Sequence, residues 1–198
     1  MRKELLIAMR MTLTTWVLTG LAYPLLITGA AQLLFPRKAG GSLVQRGGEV
    51  IGSDLIGQGF KAAGYFQGRP SAAGSEGYDA ANSAGSNLGP TSQTLHDRVA
   101  ADLKRLQREN PQAPGPIPAE LVMASASGLD PHLSPEAARW QAPRVAAARH
   151  VAVGDVEQII EQHIEGRTLG LLGEPRVNVL RLNLDLDERL GRPGAEGR

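Results

Sequence analysis

MTLTTWVLTGLAYPLLITGAAQLLF, residues 11–35, is an uncharged run of 25 residues closed by Arg10 on one side and by Arg37 and Lys38 on the other. As a helix rising about 1.5 Å per residue, the run reaches roughly 37 Å, enough to cross an apolar bilayer core of about 30 Å with some tilt. The reading is a short N-terminus at 1–10, one transmembrane helix at 11–35 and one domain behind it. A cleaved secretory signal is the alternative, since Arg2, Lys3 and Arg10 give a basic start and Thr28, Gly29 and Ala30 offer small residues to a peptidase. The apolar core of a signal is shorter than this, and here it continues past that point through Gln32, Leu33, Leu34 and Phe35.

Pro24, near the middle of the span, removes one backbone hydrogen bond and is expected to bend the helix. Thr12, Thr15, Thr19, Ala22 and Gly29 succeed one another at helical spacing and define a face of small or hydroxyl-bearing residues. Such a face lets a second helix approach closely, which points to a partner in the membrane as well as contact with lipid. Arg2, Lys3 and Arg10 before the span balance Arg37, Lys38 and Arg46 after it, so charge alone leaves the orientation open.

Beyond the span the net charge of the whole chain is only +1, with basic residues dispersed, which argues against a nucleic-acid partner. A cysteine count of zero fits either side of a membrane for a domain large enough to build its own core. Residues 42–45 and 49–52 read as two short strands about Arg46, Gly47 and Gly48, opening a domain near Gly41. Residues 68–90, rich in Gly, Ser, Ala, Asn and Pro, read as a long irregular loop. Leu95, Val99, Leu103 and Leu106 then mark an amphipathic helix, closed by the prolines of 110–118.

Leu121, Val122, Met123 and Ala124 suggest a buried strand. Ser134, Pro135 and Glu136 form a helix start, with a hydroxyl cap, a proline in the first turn and a carboxylate at the positive end of the dipole; Pro143 is expected to kink or split that helix. Val156, Ile159, Ile160 and Ile164 predict a further helix over about 155–165, ended by Gly166. Leu180, Leu182, Leu184 and Leu186 alternate with polar residues and predict a last strand with one buried and one wet face. Strands and helices interspersed without regular alternation define an α+β class: one N-terminal transmembrane helix followed by a single mixed α+β domain.

Residues 82–90 have the small side chains of a phosphate cradle but lack the Gly-Lys-Ser/Thr ending and any lysine, so a structural turn is the preferred reading. Ser125, Ser127, Asp130 and His132 have the residue types of a hydrolase, yet lie too close in sequence for a linear relay, and no Gly-x-Ser-x-Gly elbow is present. Asp130 before Pro131 is expected to make an Asx-type turn with His132 hydrogen-bonded nearby. His96, His132, His150 and His163 show no paired metal-ligand spacing, and His163 is expected to be a core histidine. No residue is assigned a catalytic or metal-binding role. A membrane-tethered hydrolase using Ser127 and His132 stands as the alternative function.

SAGSNLGPT at 83–91, ASASGLDPHLSP at 124–135 and LGEPRVNVLRLNLDLD at 172–187 together resemble the KdpC family, the small subunit of the bacterial KdpFABC potassium-transporting ATPase. GSDLIGQ at 52–58 and YFQGRPS at 65–71 fit as well, and the resemblance runs from the span to the last predicted strand. Ala84 and Ala126 stand where the family tends to have Gly, Ser92 where it tends to have Asn, and Trp140 where Tyr is usual.

The resemblance implies a cell inner-membrane protein with residues 1–10 cytoplasmic, an extracytoplasmic domain at 36–190 and a disordered tail at 191–198. It implies assembly with a channel-like potassium-binding subunit and a P-type ATPase subunit. It further implies a catalytic-chaperone role that raises the ATP affinity of the ATPase subunit through a transient complex with ATP, no cofactor being stably bound. This chain has neither the Asp-Lys-Thr-Gly-Thr phosphorylation motif nor a Thr-Val-Gly-Tyr-Gly filter, so it is expected to act by binding. Gln141 matches a glutamine implicated in that role, and Asn87, Ser127, Asp130 and His132 are candidate contacts to partner or nucleotide.

Overall fold

The computed structural model describes residues 1–193. Residues 194–198, most of the expected tail, lie outside the described residues. The chain divides into two compact units, Met1–Ser53 and a second beginning at Asp54.

In the first unit, Arg2–Leu34 is helical throughout and is long and apolar enough to cross a membrane. It comprises α1 (Arg2–Val17), a π-helical turn (Leu18–Ala22) and α2 (Tyr23–Leu34). Pro24 explains the wide turn. Proline has no N–H to give the carbonyl four residues back, and its ring crowds that carbonyl; a turn in which the Tyr23 N–H instead reaches the Leu18 carbonyl relieves the crowding. The irregularity expected at Pro24 thus takes the form of a π turn just upstream.

After Phe35 leaves helical geometry, one short turn, α3 (Pro36–Ala39), leads to a hairpin of β1 (Leu43–Arg46) and β2 (Glu49–Ser53). The pairing is antiparallel, with Arg46 opposite Glu49 and a bulge between Val44 and Gln45. Gly47 and Gly48 both have positive φ, 60° and 88°, as a two-residue hairpin turn requires. The predicted strand pair is therefore present, and it belongs to the first unit.

The second unit starts with an irregular stretch and reaches its first regular element at α4 (Gln93–Glu109), where the Ser92 hydroxyl caps the Leu95 N–H. The predicted loop at 68–90 and the helix after it are both observed. Next come a 3₁₀ turn (Ala119–Leu121), β3 (His132–Leu133), α5 (Pro135–Arg149), α6 (Val153–Gln162), β4 (Ile164–Glu165), β5 (Arg176–Asn178) and α7 (Val179–Leu190). The three short strands form an antiparallel sheet in the order β3-β5-β4, with Val177 opposite both Leu133 and Ile164. Helix α5 is the central element. Its Ala137, Ala138, Ala142, Val145 and Ala146 are buried, and small residues allow α6 and the sheet to pack close to its axis. Val156, Ile159 and Ile160 of α6, Leu182 and Leu186 of α7, Phe66 of the irregular stretch and Leu106 of α4 complete one core. The α+β class is borne out.

Ser134 caps α5 as its sequence predicts, its Oγ accepting the Ala137 N–H at 3.1 Å. Helix α5 continues through Pro143 without being split.

Three readings need correction. The run Leu121 to Ala124 is not a strand: Pro118 starts a 3₁₀ turn, which buries Leu121 and Val122 while leaving Met123 exposed. Helix α6 ends at Gln162, and Ile164 enters the sheet as a β4 residue, paired opposite Val177 of β5. The most instructive is the leucine alternation at 180–186, which is helical in α7. Asn178 supplies the cap, its Oδ1 accepting the Arg181 N–H at 3.1 Å, and Val179, Leu182, Asn183, Leu186 and Asp187 recur at helical spacing on the buried face.

Candidate functional site

In the irregular chain at 63–69, Gly64 and Phe66 are buried and Tyr65, Gln67, Gly68 and Arg69 partly so, and among the described residues no strand pairs with it. Buried peptide groups need partners, and here side chains supply them. Asn183 of α7 accepts the Phe66 N–H at 2.8 Å and donates to the Phe66 carbonyl at 2.9 Å. Gln141 of α5 does the same for the next residue, accepting the Gln67 N–H and donating to the Gln67 carbonyl, both at 2.9 Å. Two carboxamides thus imitate the edges of neighbouring strands. Arg144 donates to the carbonyls of Ala63 and Tyr65, and Arg149 to that of Gly64. Arg149 also pairs with buried Asp187 at 3.0 Å, stacks over the Tyr65 ring and donates to the Gly191 carbonyl.

Two groups of the lattice are shifted by their surroundings. Burial lowers the pKa of the Arg144 guanidinium, whose contacts are carbonyls and the Gln141 Oε1 at 2.7 Å. Burial, then the Asp187 carboxylate, raises that of Tyr65.

Arg69 ends the lattice and carries it to the loop at 124–135. Its guanidinium donates to Asp130 at 3.2 Å and to the Met123 carbonyl at 3.4 Å. Tyr78 donates to the Arg69 carbonyl at 2.5 Å, and burial pushes its phenol up to about 12. Asp130 makes the expected Asx turn, accepting the His132 N–H at 3.0 Å. The blocks at 83–91 and 124–135 meet edge to edge: Ala84 N–H donates to the Ser127 carbonyl at 3.0 Å, and the Ser83 hydroxyl to the same oxygen at 2.9 Å. Gly128, at φ +67°, leaves no room for a β-carbon, which would fall 2.6 Å from the Ala84 carbonyl oxygen and 2.7 Å from the Ala73 nitrogen.

Ser127 and Asp130 therefore share one loop and line an open cleft of about 520 Å³ together with Leu55, Ile56 and Arg69, while His132 opens β3 just beyond it. They do not form a relay. The Ser127 Oγ accepts the Leu129 N–H at 3.1 Å, and among the described residues no hydrogen bond joins it to His132. Burial, then Arg176, lowers the His132 pKa. Gln141 sits elsewhere, only 1% exposed, on the floor of a cavity of about 200 Å³ lined by Arg69, Tyr78, Asp102 and Arg105. Arg69 borders both spaces. Asn87 is exposed at φ +52°.

In the first unit, Thr12, Thr15, Thr19, Ala22 and Gly29 are exposed along the lone helix, and the Thr19 hydroxyl donates to the Thr15 carbonyl at 2.8 Å. The π turn, which itself contains Thr19 and Ala22, separates Thr12 and Thr15 from Gly29. One extra residue in a turn rotates the downstream helix by up to roughly 100° relative to a straight α-helix.

Sequence reasoning did not single out Arg69, Arg144, Arg149 or Asn183 as organisers. A signal existed for one of them: Asn183 and Asp187 at i and i+4, placed by the strand reading on a wet face, fall on the buried face of a helix.

The second unit is a small α+β domain whose polar residues fix an irregular backbone, and the chain that carries it also has a helix able to span a membrane. That combination defines the class: an α+β domain behind one helix long and apolar enough to cross a membrane. A family model described as KdpC, K+-transporting ATPase, c chain, matches residues 5–188. The chain is 64% identical to the potassium-transporting ATPase KdpC subunit of Myxococcus xanthus, covering 98% of this chain and 94% of that protein. It is 59% identical to the KdpC subunit of Nitratidesulfovibrio vulgaris, with 86% of each chain covered, and 53% identical to that of Methylobacterium nodulans, with 97% and 98% covered. The chain belongs to the KdpC family of potassium-transporting ATPase subunits.

Proposed function

We propose that this chain is the non-catalytic subunit of an ATP-driven, high-affinity potassium uptake complex, assisting assembly and raising the ATP affinity of the P-type ATPase subunit. The observation that carries the reading is the family match over residues 5–188, from the membrane helix through α7. The span lies in the cell inner membrane with the N-terminus cytoplasmic, and the helix packs on partner helices through Thr12, Thr15 and Thr19. The domain sits outside, against the channel-like potassium-binding subunit.

With the domain external, cytoplasmic ATP does not touch Gln141. The effect on nucleotide affinity is then a coupling between sites across the membrane, carried by conformation and reciprocal by linkage: ATP bound to the ATPase subunit tightens the grip of this subunit by the same factor. The burial of Gln141 and the use of its amide on Gln67 support an indirect role over direct contact.

The test compares the complete complex with one lacking this subunit, for assembly and for potassium-stimulated ATPase activity at several ATP concentrations. Loss of assembly or a raised ATP requirement is expected. Full assembly with unchanged ATP dependence would overturn the proposal.

A further inference from the structure

The open cleft of about 520 Å³ at the loop 124–135 has a lining of two kinds. Leu55, Ile56, Leu129 and Pro131 make part of it apolar, and Leu55 is 60% exposed. Ser125, Ala126 and Ser127 make another part, and Arg69 and Asp130 complete it.

The backbone acceptors of this loop are occupied. The carbonyls of Met123 and Ala124 accept from Arg69, that of Ser125 from the Gly128 N–H and that of Ser127 from Ser83 and Ala84. The Gly128 carbonyl accepts from the Ser71 hydroxyl, and the Leu129 carbonyl from the Gly57 N–H. The Ala126 carbonyl is covered by Gly85, where an added β-carbon would fall 2.8 Å from it. Several donors, by contrast, are left over. Among the described residues the N–H groups of Ala126 and Ser127 make no hydrogen bond, and neither does the Ser125 hydroxyl. Ser127 Oγ accepts the Leu129 N–H and keeps its own proton to give.

Ser125 decides what this surplus means. It is only 4% exposed, yet it lines the cleft, so the fold withdraws its hydroxyl from bulk water and supplies no partner. A polar group held in that way is costly until a ligand or water completes it.

Two N–H groups and two hydroxyls call for an acceptor. One carbonyl oxygen has two lone pairs and does not meet them all, whereas the two oxygens of a carboxylate accept about four hydrogen bonds. Charge then limits the acceptor to a single negative one. Arg69 is the cation of the lining and already pairs with Asp130 at 3.2 Å, so a doubly charged phosphate finds no surplus of positive charge. A monoanion on backbone N–H and hydroxyl donors still makes charge-assisted bonds. The apolar lining sets the rest of the ligand.

We propose that this cleft binds a monocarboxylate with a short aliphatic body, the carboxylate held by Ser125, Ala126 and Ser127 and the body lying on Leu55 and Ile56. A free branched-chain acid has that chemistry, and so does the C-terminal carboxylate of a polypeptide that ends in an aliphatic residue. Because the loop's carbonyls are tied to other segments of the chain, its donors are set in place before the ligand arrives.

The test uses the full-length, isotopically labelled chain in micelles of a neutral detergent, with isocaproate and an acetylated tripeptide ending in leucine as probes of the two sources. Saturable downfield movement of the Ala126 and Ser127 amide protons is expected with at least one probe, and the tighter of the two identifies the source. Isocaproamide, the neutral counterpart, should bind distinctly more weakly. Ser125→Ala should weaken binding about tenfold or more, as loss of a hydrogen bond to a charged group does, without lowering the unfolding midpoint, since that hydroxyl has no partner to lose. Leu55→Glu, at an exposed position, is the second variant and should weaken binding by repulsion. Absence of a saturable shift with both carboxylates would overturn the proposal. So would equal binding of the amide, tighter binding of inorganic phosphate, or unchanged affinity in both variants.

Discussion

Gln141 holds Gln67 by both ends of its amide, its Oε1 on the Gln67 N–H and its Nε2 on the Gln67 carbonyl, each at 2.9 Å. The same Oε1 accepts from Arg144 at 2.7 Å. Gln141→Ala leaves two partly buried backbone groups of Gln67 and one guanidinium short of a partner, and should cost about 2–4 kcal/mol. Urea unfolding of the solubilised chain, monitored by near-ultraviolet circular dichroism, reads this directly. If Gln141 acted by touching nucleotide instead, the variant would lose ATP-dependent effects with its midpoint unmoved.

Arg149 and Asp187 form a nearly buried ion pair, and Arg149 serves the carbonyls of Gly64 and Gly191 as well. Arg149→Met takes its buried guanidinium from Asp187 and leaves the Tyr65 hydroxyl at 3.1 Å and Arg192 at 3.9 Å, so the loss expected lies toward the low end of about 3–5 kcal/mol. The double variant with Asp187→Leu should recover part of that loss, and a double-mutant cycle measures how much. Full additivity of the two single changes would show that the pair is not coupled.

Gly128 lies where the loop at 124–135 meets Ala84 and Ala73. A β-carbon there would lie 2.6 Å from one backbone atom and 2.7 Å from another, and neither can swing aside as a side chain would. Gly128→Ala should therefore exceed the roughly 1 kcal/mol that positive φ alone commands, and reach about 2–4 kcal/mol. Gly89→Ala, with open space around it, is the control and should shift the unfolding midpoint far less.

His132 makes stability depend on pH. An imidazole titrates ordinarily near 6.5; burial, aided by Arg176, holds His132 below that against the pull of Glu165 and Asp130. The unfolded chain therefore binds its proton first as the pH falls. The contribution of the neutral ring is complete above about 6.5 and is lost on acidification through the lowered value. Midpoints measured about one unit either side of 6.5 should fall more on acidification for the parent chain than for His132→Gln. Equal slopes would show that His132 carries no such linkage.

How much the residues made legible depends on how local each signal is. The long apolar helix, the Gly47-Gly48 hairpin, the Ser134 cap and the Asx turn at Asp130 are each written in a few adjacent residues, and each is present. The lattice on 63–69 was not legible, because its partners stand more than 70 positions away in α5 and α7. Its carboxamides look like ordinary surface residues until the fold buries them.

The leucines of α7 show how a short pattern can satisfy two periods. Over 180–186 the alternation fits a strand, but Val179, Leu182, Asn183, Leu186 and Asp187 fit a helix equally well, and the run lacks β-branched residues after Val179. The two readings differ in what a substitution costs. A strand with one wet face makes Leu182, Leu184 and Leu186 equivalent and leaves Asn183 dispensable. In the helix, Leu182 and Leu186 are wholly buried, Leu184 is half-buried, and Asn183 closes the Phe66 peptide. Leu182→Ala and Leu186→Ala should each cost about 2–5 kcal/mol, and Leu184→Ala distinctly less. Asn183→Ala should cost about 2–4 kcal/mol because it orphans the Phe66 N–H and carbonyl together. Equal losses at the three leucines with a silent Asn183→Ala would return the segment to a strand, and with it undo the clamp on which the geometry of 63–69 depends.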